Sequence, residues 1–162
     1  MADHTRDPTV EPPPDGRSPT GWDPGASRWT HDTLRRAVVH GVRLFNAAAY
    51  HEAHDCFEAE WYNYGRGTTE SAFLHGLVQV AGGGHKWAAM DDRRGTASLL
   101  RTARQYLAGV PDDFYGVDVP AVRERAGRAV DEPAAFEDWH ITLDGGTPTA
   151  GAGDYAYVAS LP

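Results

Sequence analysis

The segment from Ala72 to Ala81 constrains the fold of this chain most. Apart from His75 and Gln79 it is apolar on every side of a helix, and such a helix has to be buried by several neighbours. It belongs to a predicted helix over residues 69–90. The run Gly82-Gly83-Gly84 inside that helix would weaken it by roughly 1 kcal/mol per glycine relative to alanine. The glycines therefore predict either a kink or another backbone passing very close.

Helical periodicity predicts four further helices around this central one. Their expected bounds are residues 30–48, 50–62, 93–108 and 120–130. Thr30 suits the N-cap of the first, and Pro120 suits the first turn of the last. The first two would form a tight antiparallel hairpin. The sequence therefore predicts an all-α, single-domain bundle of about five helices with a buried central helix, spanning residues 30–136.

Both ends of the chain lack helical periodicity. Residues 1–29 are rich in proline, aspartate, glycine and threonine, which predicts an extended N-terminal arm. In residues 137–162, apolar side chains alternate with polar ones at Trp139, Ile141, Leu143, Tyr155 and Tyr157. That pattern predicts either two short strands or an extended, docked tail. Aromatic tails of this kind favour packing on a neighbouring subunit, so we expect a homo-oligomer, most simply a dimer.

Composition limits the classes of function. The formal net charge of -8 argues against binding to nucleic acid or to an anionic membrane. Cys56 is the single cysteine, so no intrachain disulfide can form, which favours a reducing, cytoplasmic setting. The first residues show no signal peptide, and the longest uncharged run, Ser71–Gly84, is too short to span a bilayer.

The basic residues have an unusual distribution. Lys86 is the only lysine, while aspartate outnumbers glutamate. An acidic surface with little lysine fits a protein that stays soluble in high salt. GC-rich codon usage would give the same bias, and both interpretations stay open.

The segment Tyr50–Trp61 is the predicted location of a functional site. It carries two histidines, four carboxylates and three aromatic residues in three turns of helix, and this density of titratable groups beside apolar ones is typical of sites. On a helical wheel His54 lies at the centre of the apolar face, with Glu58 one turn on. Cys56 points the other way. The wheel predicts a buried His–Glu pair that faces the central helix.

Three interpretations of this pair compete. The pair could be a structural clasp that fixes helix register. Alternatively, His51, His54 and Glu58, with His75 or His85 opposite, could supply nitrogen and oxygen ligands to a divalent metal such as zinc or iron. The third interpretation is a general acid–base pair or a small-ligand site, in which Glu58 orients His54.

Side chains of the central helix could complete the site. Gln79 lies one turn from His75, and a buried glutamine needs partners for its amide and its carbonyl. It would either close the polar network of the hairpin or contact a ligand. The aromatic residues Trp61, Trp87 and Tyr106 are predicted to belong to the core.

Several blocks of the sequence carry a resemblance to a known family. They are Leu44-Phe45-Asn46, Tyr50-x-Glu52-Ala53-His54-Asp55-x-x-Glu58-x-x-Trp61, Phe73-Leu74-x-Gly76-Leu77-Val78-Gln79, His85 and Gly95-x-x-x-Leu99-Leu100. Together they resemble the domain-of-unknown-function family 309, over roughly residues 33–130. The resemblance implies an all-helical fold, with a biochemical role that is not established.

The family motif implies which positions matter. These are Glu52, His54, Asp55, Glu58, Trp61, Gln79 and His85. This chain departs from the motif at Asp55, where glutamate is more usual, and at His75, where glutamine is more usual. The sequence therefore predicts a non-catalytic module that binds a ligand or a protein. The alternative is a metal-dependent or His/Glu acid–base enzyme, hydrolase-like, with its site between the second and third helices.

Overall fold

The computed structural model describes residues 20–162. Within them, two short strands, β1 (Trp22–Asp23) and β2 (Arg28–Trp29), precede six α-helices. These are α1 (Asp32–Asn46), α2 (Tyr50–Trp61), α3 (Thr69–Met90), α4 (Arg93–Leu107), α5 (Val119–Asp131) and α6 (Ala152–Ala159), with a 3-10 helix at Pro133–Asp138 between α5 and α6. None of the described helices is long and apolar enough to cross a membrane.

The helix α3 is the centre of the bundle, as its apolar stretch predicts. It packs between α2 and α4, while α1 packs on α2 and α5 on α4. Its fully buried side chains are Phe73, Leu74, Leu77, Val80 and Ala81. The hydroxyl of Thr68 caps its first turn by accepting the N–H of Ser71 at 3.1 Å. The predicted all-α bundle is confirmed.

The glycine run of α3 accommodates a side chain rather than a backbone. The helix continues unbroken through these residues. A Cβ on Gly84 would lie only 2.6 Å from Cδ1 of Tyr50, whereas one on Gly83 would make an ordinary 3.4 Å contact with Leu100. The close neighbour is therefore the buried Tyr50 ring at the start of α2.

The predicted N-terminal arm is partly described. Residues 1–19 lie outside the described residues. The part that follows is not extended throughout, because β1 and β2 form an antiparallel hairpin in which Trp22 pairs with Trp29. The ring of Trp29 stacks on Tyr115 with centroids 5.2 Å apart. Aromatic stacking of this kind adds roughly 0.5–1.5 kcal/mol beyond the buried area, which holds the hairpin on the bundle.

The C-terminal tail contains a helix where the alternation of Tyr155 and Tyr157 had predicted either a short strand or an extended, docked segment. Both alternatives are wrong for α6. The carboxylate of Asp154 accepts the N–H of Gly151 at 2.8 Å and contacts Nδ1 of His40 in α1, also at 2.8 Å. The ring of Tyr157 stacks on His40 at 4.1 Å. These long-range contacts fix α6 against α1, and local alternation contains no information about them.

The preceding part of the tail is docked on the end of α1. The side chain of Asn46 donates to the carbonyls of Ile141 at 3.0 Å and Pro148 at 2.8 Å. Its own carbonyl accepts the N–H of Ile141 at 2.7 Å. One buried amide at the end of α1 thus satisfies three backbone groups of the tail, which buried polar groups require.

Alanine substitutions within the glycine run should separate close packing from helix propensity. We expect Gly84→Ala to lower the free energy of unfolding by about 1–3 kcal/mol, because the added methyl overlaps the buried Tyr50 ring. The matched control Gly83→Ala should leave stability unchanged or raise it by up to about 1 kcal/mol. Urea unfolding measures both, and equal effects of the two variants would contradict this packing.

Candidate functional site

A cavity of about 500 Å³ lies between α2 and α3, with Leu99 of α4 at one side. We call it the α2–α3 cavity. The predicted candidate residues that line it are His51, His54, Glu58, Trp61, His75, Gln79 and His85. Two helices thus bring most of the predicted site residues to one concave surface.

The imidazole of His54 lies between two carboxylates of its own helix. Its Nδ1 is hydrogen-bonded to Oδ1 of Asp55 at 3.2 Å, and its Nε2 lies 3.0 Å from Oε2 of Glu58. A carboxylate oxygen only accepts, so an imidazolium can donate to both partners whereas a neutral ring can donate to one. Both ring nitrogens are therefore engaged within α2.

The His54–Glu58 pair is not buried, which corrects the sequence prediction. The side chain of His54 is 28 % exposed and that of Glu58 is 34 % exposed. The reason is the shape of α3 opposite them. Gly82 lies opposite His54, because a Cβ on it would lie 3.7 Å from Cδ2 of that ring. As a glycine it places no side chain there. This leaves the cavity open above the pair.

Further contacts extend the polar face of α2. The second oxygen of Glu58 accepts the hydroxyl of Tyr62 at 3.0 Å. Nε2 of His51 lies 3.6 Å from Oδ2 of Asp55, and the ring of His51 faces that of His85 across the helix interface at 5.1 Å. Asp55 therefore lies between the two histidines of α2.

Aromatic rings form the other end of the cavity. The rings of Trp61 and His75 lie 4.6 Å apart, and His75 stacks on Tyr106 at 3.9 Å. The indole of Trp61 donates to the hydroxyl of Ser71 at 3.1 Å. The prediction that Tyr106 belongs to the core is wrong, because it is 39 % exposed. Trp61 and Trp87 are partly buried and pack against the core.

Burial lowers the pKa of His75, so its ring is neutral at neutral pH. The amide of Gln79 lies 2.9 Å from Nε2 of His75 and can donate to that nitrogen. The hydrogen bond of Gln79 is therefore made within α3. Of the two roles that the sequence left open for Gln79, closing the His54–Glu58 network is therefore not observed, and contact with a ligand remains a prediction.

Two predicted positions lie elsewhere. Glu52 and Asp55 are not among the residues that line the cavity. Cys56, expected on an outward face, is fully buried. Burial and the neighbouring charge of Asp55 raise the pKa of Cys56 to about 12, so its thiol stays protonated. The wheel failed here because a second face of α2 is also covered, by α1 and α6.

Sequence reasoning missed Glu60, which is 7 % exposed. Its Oε1 accepts the hydroxyls of Thr33 at 2.6 Å and Tyr64 at 2.8 Å, and its Oε2 accepts the amide of Asn63 at 3.2 Å. Glu60 lies one turn after Cys56, which the helical wheel had placed on an outward face, so the sequence carried no signal of its burial. Lys86 was noted only as the single lysine, yet it lines the cavity.

The predicted metal ligands do not converge. Among residues 20–162, no group of three or more histidine, cysteine, aspartate or glutamate side chains is arranged to hold a metal ion. His54 and Glu58 contact each other, and His75 is hydrogen-bonded to Gln79. A metal would need several of these side chains to point at one position.

The middle part of the chain, which carries the cavity, is similar to a known family. Residues 38–99 match DUF309, a domain of unknown function. The match confirms the resemblance seen in the sequence motifs. No curated protein matches the chain. The DUF309 region begins within α1 and ends within α4, so it contains every residue that lines the α2–α3 cavity.

The exposure of the His54–Glu58 pair sets its expected contribution to stability. A double-mutant cycle with His54→Ala and Glu58→Ala should give a coupling energy below about 1 kcal/mol, because solvent screens a pair of this exposure. Chemical unfolding of the four proteins measures it. A coupling above about 2 kcal/mol would instead support the structural clasp.

The buried Glu60 should behave differently from Glu58 under the same substitution. Glu60→Gln should lower the free energy of unfolding by about 1–3 kcal/mol, because it weakens charge-assisted hydrogen bonds from buried donors. The matched variant Glu58→Gln should change it by less than about 1 kcal/mol. Thermal and urea unfolding compare the two, and equal effects would refute the distinction.

Proposed function

We propose that this protein is a non-catalytic module that binds a small organic ligand in the α2–α3 cavity. One observation carries this proposal. Most of the residues that the sequence and the family motif single out line one cavity of about 500 Å³. Sites for small molecules generally have volumes of about 300–1,000 Å³.

The composition of the lining supports this proposal. Apolar surface comes from Val78, Gly82, Met90 and Leu99, and polar groups come from Gln79 and the surrounding histidines. A mostly apolar wall with a few convergent polar groups is the usual character of ligand sites. The apolar part would bind the body of a ligand, and the polar groups would fix its orientation.

Exposed apolar side chains are concentrated around this region. Of the five large hydrophobic residues that are exposed in the described part of the chain, Tyr62, Met90 and Tyr106 border the α2–α3 cavity or its neighbour. That neighbouring cavity, of about 780 Å³, shares the walls Trp61, Tyr62 and His75. Exposed apolar groups that cluster often mark a binding surface.

The contacts of His54 favour binding over catalysis. A general base needs a nitrogen within hydrogen-bond reach of its substrate, and both nitrogens of His54 face carboxylates of α2. His54 would have to break one of these contacts to act as a general base.

An acid–base or metal-dependent enzyme is the alternative. The observation in its favour is that Glu58 orients His54 at 3.0 Å and that both line the cavity. Elemental analysis of the purified protein discriminates between the two. Stoichiometric zinc or iron that is lost in His54→Ala would support the enzyme and contradict the proposal made above.

Filling the cavity from α3 tests ligand binding. Gly82→Leu should abolish binding of small organic ligands detected by ligand-observed NMR, because its side chain enters the cavity beside Leu99. A Cβ at this position lies 3.3 Å from Cδ1 of Leu99. Leucine is a good helix former, so circular dichroism and the Tm should remain close to those of the parent.

The matched control is Gly82→Ala, whose single methyl group should leave most binding intact. Ligands that bind Gly82→Leu as well as the parent would show that they bind elsewhere. A broad screen without any ligand for the parent protein would contradict the proposed function.

A further inference from the structure

Basic side chains line the α2–α3 cavity although the chain as a whole is acidic. Lys86, the only lysine of a chain with net charge -8, lines this cavity. So do His51 and His85, whose rings face each other across the helix interface. A lysine beside imidazole N–H donors in an acidic protein indicates a site for negative charge.

The acidic group in the same lining already has two polar partners. Glu58 is the one carboxylate among the described residues that line the cavity. One of its oxygens lies 3.0 Å from Nε2 of His54, and the other accepts the hydroxyl of Tyr62. A ligand cation would have to compete with both partners, whereas a ligand anion would not.

Three basic side chains line the end of the cavity that is distant from Trp61, namely His51, His85 and Lys86. His85 and Lys86 are neighbours in α3, and His51 faces His85 from α2 at a ring distance of 5.1 Å. Two carboxylates accompany them from outside the lining. Oδ2 of Asp55 lies 3.6 Å from Nε2 of His51, and Oδ2 of Asp92 lies 3.6 Å from Nζ of Lys86. Both distances exceed those of an ordinary hydrogen bond, so a ligand oxygen could approach more closely.

The other end of the cavity suits a planar, uncharged group. Burial lowers the pKa of His75, and its ring contacts those of Trp61 and Tyr106. Val78 and Leu99 add apolar surface beside them. Stacking and apolar contact, rather than charge, would hold the ligand here.

We propose that the ligand of the α2–α3 cavity is a small organic anion, with a carboxylate or phosphate held by His51, His85 and Lys86 and a planar apolar body directed towards Trp61. This inference rests on the proposed function, because it names the chemical class of the ligand. Carboxylates and phosphates share the chemistry that the basic side chains recognise.

Four probes of nearly equal shape test it: benzoate, phenyl phosphate, benzamide and benzamidine. Titration of the full chain at low salt, followed by amide chemical shifts, measures each affinity. We expect the better of the two anions to bind with a Kd of about 1 mM or tighter and at least about tenfold more tightly than benzamide. Benzamidine should bind most weakly. The ranking of benzoate against phenyl phosphate then identifies which anionic group is preferred.

Removing one charge tests where the anion binds. Lys86→Gln should weaken binding of the preferred anion at least about fivefold while leaving benzamide unchanged, because it removes a cation from one end of the cavity. Arg101→Gln removes the same charge from an exposed position of α4 outside the lining and should have little effect. Equal effects of the two substitutions, or none from Lys86→Gln, would overturn the assignment.

The outcomes separate this inference from the proposed function. If benzamide or benzamidine binds in the cavity as tightly as the anions, the cavity binds ligands but the anion assignment is wrong. If all four probes fail to bind at several millimolar, both the assignment and the proposed function are contradicted.

Discussion

The close packing of α2 on the central helix α3 is the contact on which the rest of the structure depends. It is set at Gly84, where the absence of a side chain admits the buried ring of Tyr50. The hydroxyl of Tyr50 reaches the carbonyl of Phe136 at 3.4 Å, which links this contact to the segment after α5. Because α2 is held so close at this end, its polar face lies over α3 rather than in open solvent. The cavity forms where Gly82 leaves that face uncovered.

The two sides of α2 have different roles because different elements cover them. One side holds Cys56 and Glu60, buried beneath α1 and α6, and its polar groups are satisfied inside the protein. The other side holds His54 and Glu58, half-exposed and paired with each other. Burial explains why the first side stabilises the fold. Partial exposure beside an apolar wall explains why the second is suited to bind a ligand.

Much of the helical bundle could be predicted from the sequence, because its signals are local. The apolar stretch of α3 and the periodicity of α1 and α4 are strong, and Asp92 and Asp118 cap α4 and α5 by accepting backbone N–H groups. The membership of the candidate site was also largely predictable, since one helical face of α2 and one of α3 supply it. The burial of Cys56, the helix α6 and the exposure of His54 could not be predicted. Each depends on contacts between residues distant in sequence, such as that of His40 with Asp154.

The central claim is that the face of α2 that carries His54 and the facing side of α3 form a ligand site. The most direct test is a map of backbone amide chemical shifts during titration of the parent protein with benzoate. Binding in the cavity should give saturable changes concentrated in residues 51–62 and 75–90, on both sides of it. Changes concentrated in α5 or α6, or no saturable change anywhere in the chain, would contradict it.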